Sequence, residues 1–322
     1  MTRYLILGGG IAALRAAEAI RENDRSGLIV MISGERALPY YRPALTKQLL
    51  GSITAEDIAV QSAAWYDAPG RDIVTLTSRT VTALNLQAKT VTLQDGNVFT
   101  YDKLVYALGA RCFIPPFEGS CRRNVIAVRT AEDAARVRDL ARTAQSAVVI
   151  GGGVLGLEAA WSLHQGGLSV SVVEFDARVM ARQVDAETSE HIARAMKDHG
   201  VKLFTCASTA RVDDDGLHLT DGRILPADLV IVSAGVRANA ELAADAGIRV
   251  DRKIIVDDHM RTSAPDVYAA GDCAACGMSY ALWDEAAEMG RIAGVNAAGG
   301  NEAYQNVSRP VHFSGFGLEI TG

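Results

Sequence analysis

Short apolar runs separated by glycine-rich breaks set the rhythm of this chain. Ala147 to Ile150 is one such run, the pattern of a buried parallel strand. Gly151, Gly153 and Gly156 follow it with the spacing G-x-G-x-x-G. Val154 to Gln165 then reads as a helix, and Ser169 to Val173 as a second strand ending in Glu174. Each part has a physical role in a dinucleotide-binding turn. The first glycine permits the tight turn, the second lets backbone approach a pyrophosphate, and the third lets helix pack closely on strand. The amides and dipole of the helix N-terminus would face the phosphates, and Glu174 would accept hydrogen bonds from ribose hydroxyls.

The same pattern occurs nearer the start. Tyr4 to Ile20 reads YLILGGGIAALRAAEAI, with Gly8, Gly10 and Ala13 in the corresponding places. Leu28 to Ile32 is its second strand, and Glu35 lies just beyond. Downstream, TLQDGNVFTYDKLVYALGA (Thr92 to Ala110) parallels HLTDGRILPADLVIVSAGV (His218 to Val236). In both, an Asp-Gly turn joins two short strands, and an apolar strand then ends in a glycine, Gly109 or Gly235. A whole unit is therefore duplicated. The fold class is α/β, with two Rossmann-like dinucleotide-binding domains.

Between these landmarks, Tyr40 to Pro43 should be loop and Ala44 to Leu50 a short helix. Arg42 and Lys47 there are either two solvated charges or cations placed near a pyrophosphate or a reduced flavin. Ile73 to Tyr106 is strand-rich, and the alternation in TVTLQ (Thr90 to Gln94) predicts a half-exposed meander. Gly109, Pro115 and Pro116 mark a crossover, and Thr130 to Ala144 reads as an amphipathic helix. Later come a strand near Lys253 to Val256, the segment APDVYAAGDCA (Ala264 to Ala274), and a helix from Tyr280 to Ala298 with Trp283 in its first turn.

Composition narrows the class. At 322 residues the chain suits two or three domains. A net charge of −6 without a basic stripe argues against a nucleic-acid binder. No apolar run reaches the ~18 residues of a membrane span. The chain enters a strand almost at once, so no signal peptide is expected, and five scattered cysteines suit a reducing cytoplasm.

Taken together, the two glycine motifs, YRPALTK, LVYALGA, VRTAEDA, LVIVSAGVRAN and VYAAGD resemble the FAD-dependent pyridine nucleotide oxidoreductases. The similarity is greatest to NADH-rubredoxin and NADH-ferredoxin reductases and to the flavin-binding part of NADH-dependent nitrite reductases, and it runs from Met1 to about Val311. It implies a glutathione-reductase-like fold, with a discontinuous FAD-binding domain at 1–112 and 238–309 and an NAD-binding domain at 113–237. By resemblance the first fingerprint (Gly8, Gly10, Ala13, Glu35) binds FAD, and the second (Gly151, Gly153, Gly156, Glu174) binds NADH. Asp272 would hold the flavin ribityl chain, and Arg42 and Lys47 would contact FAD. Val81, Gly109, Arg129 and Gly235 are further cofactor-binding positions. Glu158 would lie beside the nicotinamide and pair with Lys47; its alternative is a surface acid complementing the helix dipole. Trp283 is either core packing or an aromatic wall near the flavin.

The expected activity is a flavoprotein reductase that passes hydride from NADH to FAD and then electrons to a small carrier such as rubredoxin or ferredoxin. Alternatives are a flavin subunit of a nitrite reductase or amino-acid dehydrogenase complex, or a redox-sensing interaction protein like apoptosis-inducing factor. Oligomerisation is left open. With no cysteine before Cys112, the chain lacks the redox pair that disulfide reductases of this fold carry after the first fingerprint helix. Cys273 and Cys276 form a C-x-x-C that is either redox-active or two ordinary thiols. The resembling reductases carry a third, interface domain of roughly a hundred residues. By that resemblance 310–322 is expected to be its opening strand, with most of the domain expected to be missing from these 322 residues. One apolar strand with a bare edge is unstable alone, so this segment is expected to dock on another chain or stay mobile.

Overall fold

A computed structural model describes residues 1–277, 281–305 and 310–322. Tyr280, the expected start of the last long helix, lies outside the described residues. The chain forms two compact units. One comprises Met1–Tyr41, Thr54–Arg111 and Arg237–Ser308; the other comprises Arg42–Ile53, Cys112–Val236 and Arg309–Gly322.

In the first unit, five strands lie in the order Val267–Ala269, Lys103–Tyr106, Arg3–Leu7, Leu28–Ile32, Ile73–Leu76. Every pairing is parallel. The central strand is buried from Tyr4 to Leu7, which is why it reads as a continuous apolar run. Helix Ile11–Asn23 leaves this strand through the glycine turn and packs on helix Trp283–Ala297. The two helices meet through small residues: a Cβ on Gly290 would lie 2.2 Å from the Ala12 carbonyl oxygen, and one on Gly294 would lie 2.4 Å from that of Ala16. An antiparallel meander, Val81–Asn85, Thr90–Leu93 and Val98–Thr100, completes the expected alternation.

The second unit repeats the plan. Its sheet runs Lys202–Phe204, Ser169–Val173, Ser146–Ile150, Leu229–Val232, Val125–Ile126, again all parallel. Its meander is Thr209–Asp213, Gly216–Leu219 and Ile224–Leu225. Helix Ala131–Ala141 starts one residue inside the expected boundary because Thr130 caps it, the Thr130 hydroxyl and Asp133 carboxylate forming a capping box.

The last segment departs from expectation. Residues 310–322 are not one bare strand but a hairpin, His312–Gly315 paired antiparallel with Leu318–Thr321. Phe316 and Gly317 both have positive φ, 54° and 72°, the geometry of a two-residue type I′ turn. Phe313 and Phe316 are buried, and Phe316 tilts against Trp161 of helix Val154–Gln165 at a ring separation of 5.1 Å. The hairpin therefore satisfies one edge by pairing with itself and buries its apolar face on its own unit. Among the described residues no helix is long and apolar enough to cross a membrane.

The contact between the two first-unit helices makes a prediction whose sign is informative. Replacing Gly by Ala inside a helix normally stabilises by about 1 kcal/mol. At Gly290 the new methyl meets backbone, so Gly290→Ala should instead destabilise, by about 1–3 kcal/mol from overpacking. A raised or unchanged thermal midpoint would show that the helices have room.

Candidate functional site

Each glycine turn is built from one close backbone contact. Gly8 has φ 133° and donates its amide to the Ile32 carbonyl at 2.8 Å. A Cβ there would stand 2.1 Å from the Ala107 carbonyl oxygen. Gly151 repeats this with φ 114°, an amide bond of 2.8 Å to Val173, and a Cβ position 2.3 Å from the Ser233 carbonyl oxygen. Gly10 and Gly153 are the N-caps of the two fingerprint helices, and neither helix has a side-chain cap. Nothing lies within 4 Å of a Cβ built on either. Uncapped helix amides beside open glycines fit the pyrophosphate of a dinucleotide in both units. Ala13 and Gly156 fill the third positions. Ala13 is fully buried, and a Cβ on Gly156 would press 2.0 Å from the Gly151 carbonyl oxygen.

Around the first turn, Glu35 accepts the Tyr40 hydroxyl at 2.6 Å, and its amide donates to the Ser33 hydroxyl at 3.1 Å. A shallow recess lined by Gly9, Met31, Ser33, Leu38 and Leu76 lies in the same region. Val81 is buried at the start of the meander, just after Arg79, whose amide donates to the Ser33 carbonyl at 2.8 Å. Gly109, with φ 63°, closes the return strand and accepts the Asn239 amide at 2.9 Å. Asp272 sits in the turn Gly271–Cys273, and a Cβ on Gly271 would lie 3.0 Å from that of Ala12 on the fingerprint helix. Trp283 is part-buried, its ring edge-on to Tyr41 at 5.1 Å. Gly8, Gly10, Ala13, Glu35, Val81, Gly109, Asp272 and Trp283 all lie in the first unit.

In the second unit, Glu174 turns its carboxylate back onto the loop. Oε2 accepts the Gly152 amide at 2.5 Å and Oε1 the Asp176 amide at 2.7 Å. A carboxylate has about four lone-pair sites, so capacity remains for ribose hydroxyls. Gly235, with φ 97°, accepts the Phe113 amide at 2.9 Å.

Two findings here reshape the sequence reading. First, Arg42, Lys47 and Arg129 all belong to the second unit, although 1–112 was assigned to the first. The Arg42 guanidinium donates to the Arg129 carbonyl, and the Arg129 amide donates to Asp133 at 3.1 Å. Helix Ala44–Lys47, shorter than expected, packs on helix Val154–Gln165; the Leu50 amide reaches the Ser162 hydroxyl at 3.3 Å. Second, of the two readings of Glu158 the surface-acid alternative falls, since the residue is buried at 3% exposure. The Lys47 ammonium stands 4.0 Å from its Oε1, and the Thr46 hydroxyl donates to its Oε2 at 2.6 Å. Burial pushes the Glu158 carboxyl above its usual range, opposed by the Thr46 hydrogen bond and the Lys47 charge. Thr46 was missed because its partner lies 112 residues away.

The five cysteines are free thiols. Cys273 is fully buried, its thiol pushed up to about 12 chiefly by burial, which suits an inert core thiol better than a redox partner for Cys276.

Two parallel sheets, each with an open glycine turn, an uncapped helix and an acid near the second strand, define a double dinucleotide-binding α/β protein. The chain belongs to the pyridine nucleotide-disulphide oxidoreductase family, whose pattern matches residues 2–290. It is 35% identical over 277 residues to the assimilatory nitrate reductase electron transfer subunit of Bacillus subtilis (strain 168), covering 84% of this chain but 36% of that protein. It is 36% identical over 315 residues to the ferredoxin–NAD(+) reductase component of the anthranilate 1,2-dioxygenase system of Burkholderia cepacia, covering 94% of this chain and 77% of that protein. Among solved structures, the ferredoxin reductase for the CYP199A2 system of Rhodopseudomonas palustris superposes with a TM-score of 0.91 at 29% identity, covering 97% of this chain and 79% of that one. The chain spans little more than a third of the first two curated relatives that it matches.

The burial of Glu158 carries a stability consequence. Because the folded state raises its pKa, folding favours the protonated acid. The penalty is absent below the ordinary carboxyl value of 4.5 and grows as pH rises through the raised folded value. Glu158→Gln should therefore be more stable than the parent protein at pH 7, with the difference shrinking towards pH 4.5. Urea unfolding at the two pH values measures it. A variant less stable at pH 7 would show that the ion pair outweighs desolvation.

Proposed function

We propose that the protein is a flavoprotein reductase, with FAD held by the first unit and NADH by the second. The observation that carries this reading is the paired geometry of Gly8 against Ala107 and Gly151 against Ser233, which supports two separate dinucleotide sites in one chain. The roles follow the local chemistry. Helix Ile11–Asn23 faces the FAD pyrophosphate, Glu35 the FAD ribose, and Asp272 the ribityl chain, while Gly109 and Val81 contribute backbone and packing. Helix Val154–Gln165 faces the NADH pyrophosphate, Glu174 its ribose, and Gly235 closes that site. Glu158 and Lys47 set the polarity around the nicotinamide; Arg42 and Arg129 brace the segment carrying Lys47. Bound FAD supplies hydride acceptance and single-electron release, and the side chains supply alignment and electrostatics.

The acceptor in this reading is a one-electron carrier of the ferredoxin or rubredoxin type, in the cytoplasm. A ferredoxin reductase component matched over 94% of this chain supports it. The second reading, a flavin module that feeds a partner subunit or a larger polypeptide, is favoured by the electron transfer subunit of which the chain covers only 36%. Anaerobic reduction with NADH, followed by addition of purified ferredoxin or rubredoxin, separates the two. Turnover with a free carrier supports the first reading, and reduced flavin that no free carrier reoxidises supports the second.

Glu174 also fixes the cofactor. Its carboxylate accepts ribose hydroxyls and repels a 2′-phosphate. Charge-assisted hydrogen bonds of about 1.5–3 kcal/mol correspond to roughly ten- to hundredfold preference for NADH over NADPH in kcat/KM. A preference for NADPH would overturn the assignment of Glu174.

A further inference from the structure

We propose that Thr46 is a positioning residue for the Glu158–Lys47 pair, acting through Glu158; this rests on the role given above to that pair. The Thr46 hydroxyl donates to Glu158 Oε2 at 2.6 Å, while Lys47 addresses Oε1 from 4.0 Å. Thr46 is 7% exposed and Glu158 3%, so water does not readily replace the hydroxyl as donor. One carboxylate oxygen is therefore pinned, and the plane of the carboxylate, hence the direction of the other oxygen, is set by Thr46. Lys47 is 40% exposed at its side chain and has freedom of its own, so the fixed member of the pair is the acid. The neighbouring Leu50–Ser162 bond and the close fit of Leu50 on Gly166 hold the Thr46 backbone against the same helix face.

The charge acting on Glu158 is Lys47. Of the elements packed against its helix, the strands SAVVI, SVSVV and LVIV bring no titratable side chain, strand His312–Gly315 brings His312, and the end of helix Ala186–Asp198 brings His199 onto Trp161; the helix itself carries His164. The hydroxyl is thus the neutral donor that favours the ionised carboxylate against burial. Without it Glu158 holds its proton to higher pH, and Lys47 loses an oriented anionic partner.

The test uses the FAD-loaded protein and three substitutions. Thr46→Val removes the donor at nearly constant volume, Thr46→Ser retains it, and Glu158→Gln removes the acid. In glutamate-13C-labelled protein, the Glu158 carboxyl titration should move up by about one pH unit or more in Thr46→Val and stay near the parent value in Thr46→Ser. In stopped-flow reduction by NADH, the acid limb of the pH profile should move up in the same variant, and Thr46→Val should have no further effect in a Glu158→Gln background. An unmoved Glu158 titration, or an equal Thr46→Val effect with and without Glu158, would overturn the proposal. If Glu158→Gln itself leaves both the reduction rate and NADH affinity unchanged, the role of the acid falls and the proposal falls with it. If Glu158→Gln slows reduction but Thr46→Val does not shift the titration, the role of the acid stands and only the positioning role fails.

Discussion

Both units depend on one steric constraint: a strand-end glycine must pass within contact distance of a neighbouring strand's carbonyl. A Cβ would be 2.1 Å from the Ala107 oxygen at Gly8 and 2.3 Å from the Ser233 oxygen at Gly151. Oxygen and carbon cannot share that space, so any side chain there would push the return strand away or unwind the turn. The same approach fixes the register of the amide bonds, Gly8 to Ile32 and Gly151 to Val173. It also aims the helix that follows, because the turn leaves no slack. The N-caps at Gly10 and Gly153 leave the helix amides without a side-chain cap, the arrangement that in the proposed reading takes the phosphates.

Duplication of this constraint gives one chain two glycine turns of the same geometry, but the copies are not identical. Aligned by their amide bonds, Ser33 stands where Glu174 stands in the second unit, and the first unit's acid comes two residues later at Glu35. Glu174 is braced by two loop amides, whereas Glu35 accepts the Tyr40 hydroxyl. The helices differ as well. The first fingerprint helix packs through alanines on Gly290 and Gly294, and the second receives the segment 42–53, whose Thr46 and Lys47 address Glu158, and the terminal hairpin. The turn geometry is shared, while the surroundings of the two helices differ.

The strands, glycine turns and duplication were legible because they are local patterns: a period of two, a spacing of glycines, an apolar run of fixed length. What escaped was decided by partners far along the chain. The segment 42–53 groups with the second unit through Thr46 on Glu158 and Leu50 on Ser162, contacts that no local pattern encodes. For Glu158 the pairing with Lys47 comes only from the resemblance and the surface acid stays open as its alternative, because the partners that enclose it, Thr46 and Lys47, lie more than a hundred residues away. The hairpin at 312–321 escaped because a positive φ at Phe316 is rare for a bulky residue, so the turn carried only half of the usual signal in Gly317.

The central claim is that the two turns hold different dinucleotides and that electrons pass from one to the other. Anaerobic titration of the FAD-loaded protein with NADH, followed by flavin absorbance, tests it most directly. The account predicts full flavin reduction at one equivalent of NADH per FAD. A protein that binds no FAD, or whose flavin remains oxidised with excess NADH, would contradict it.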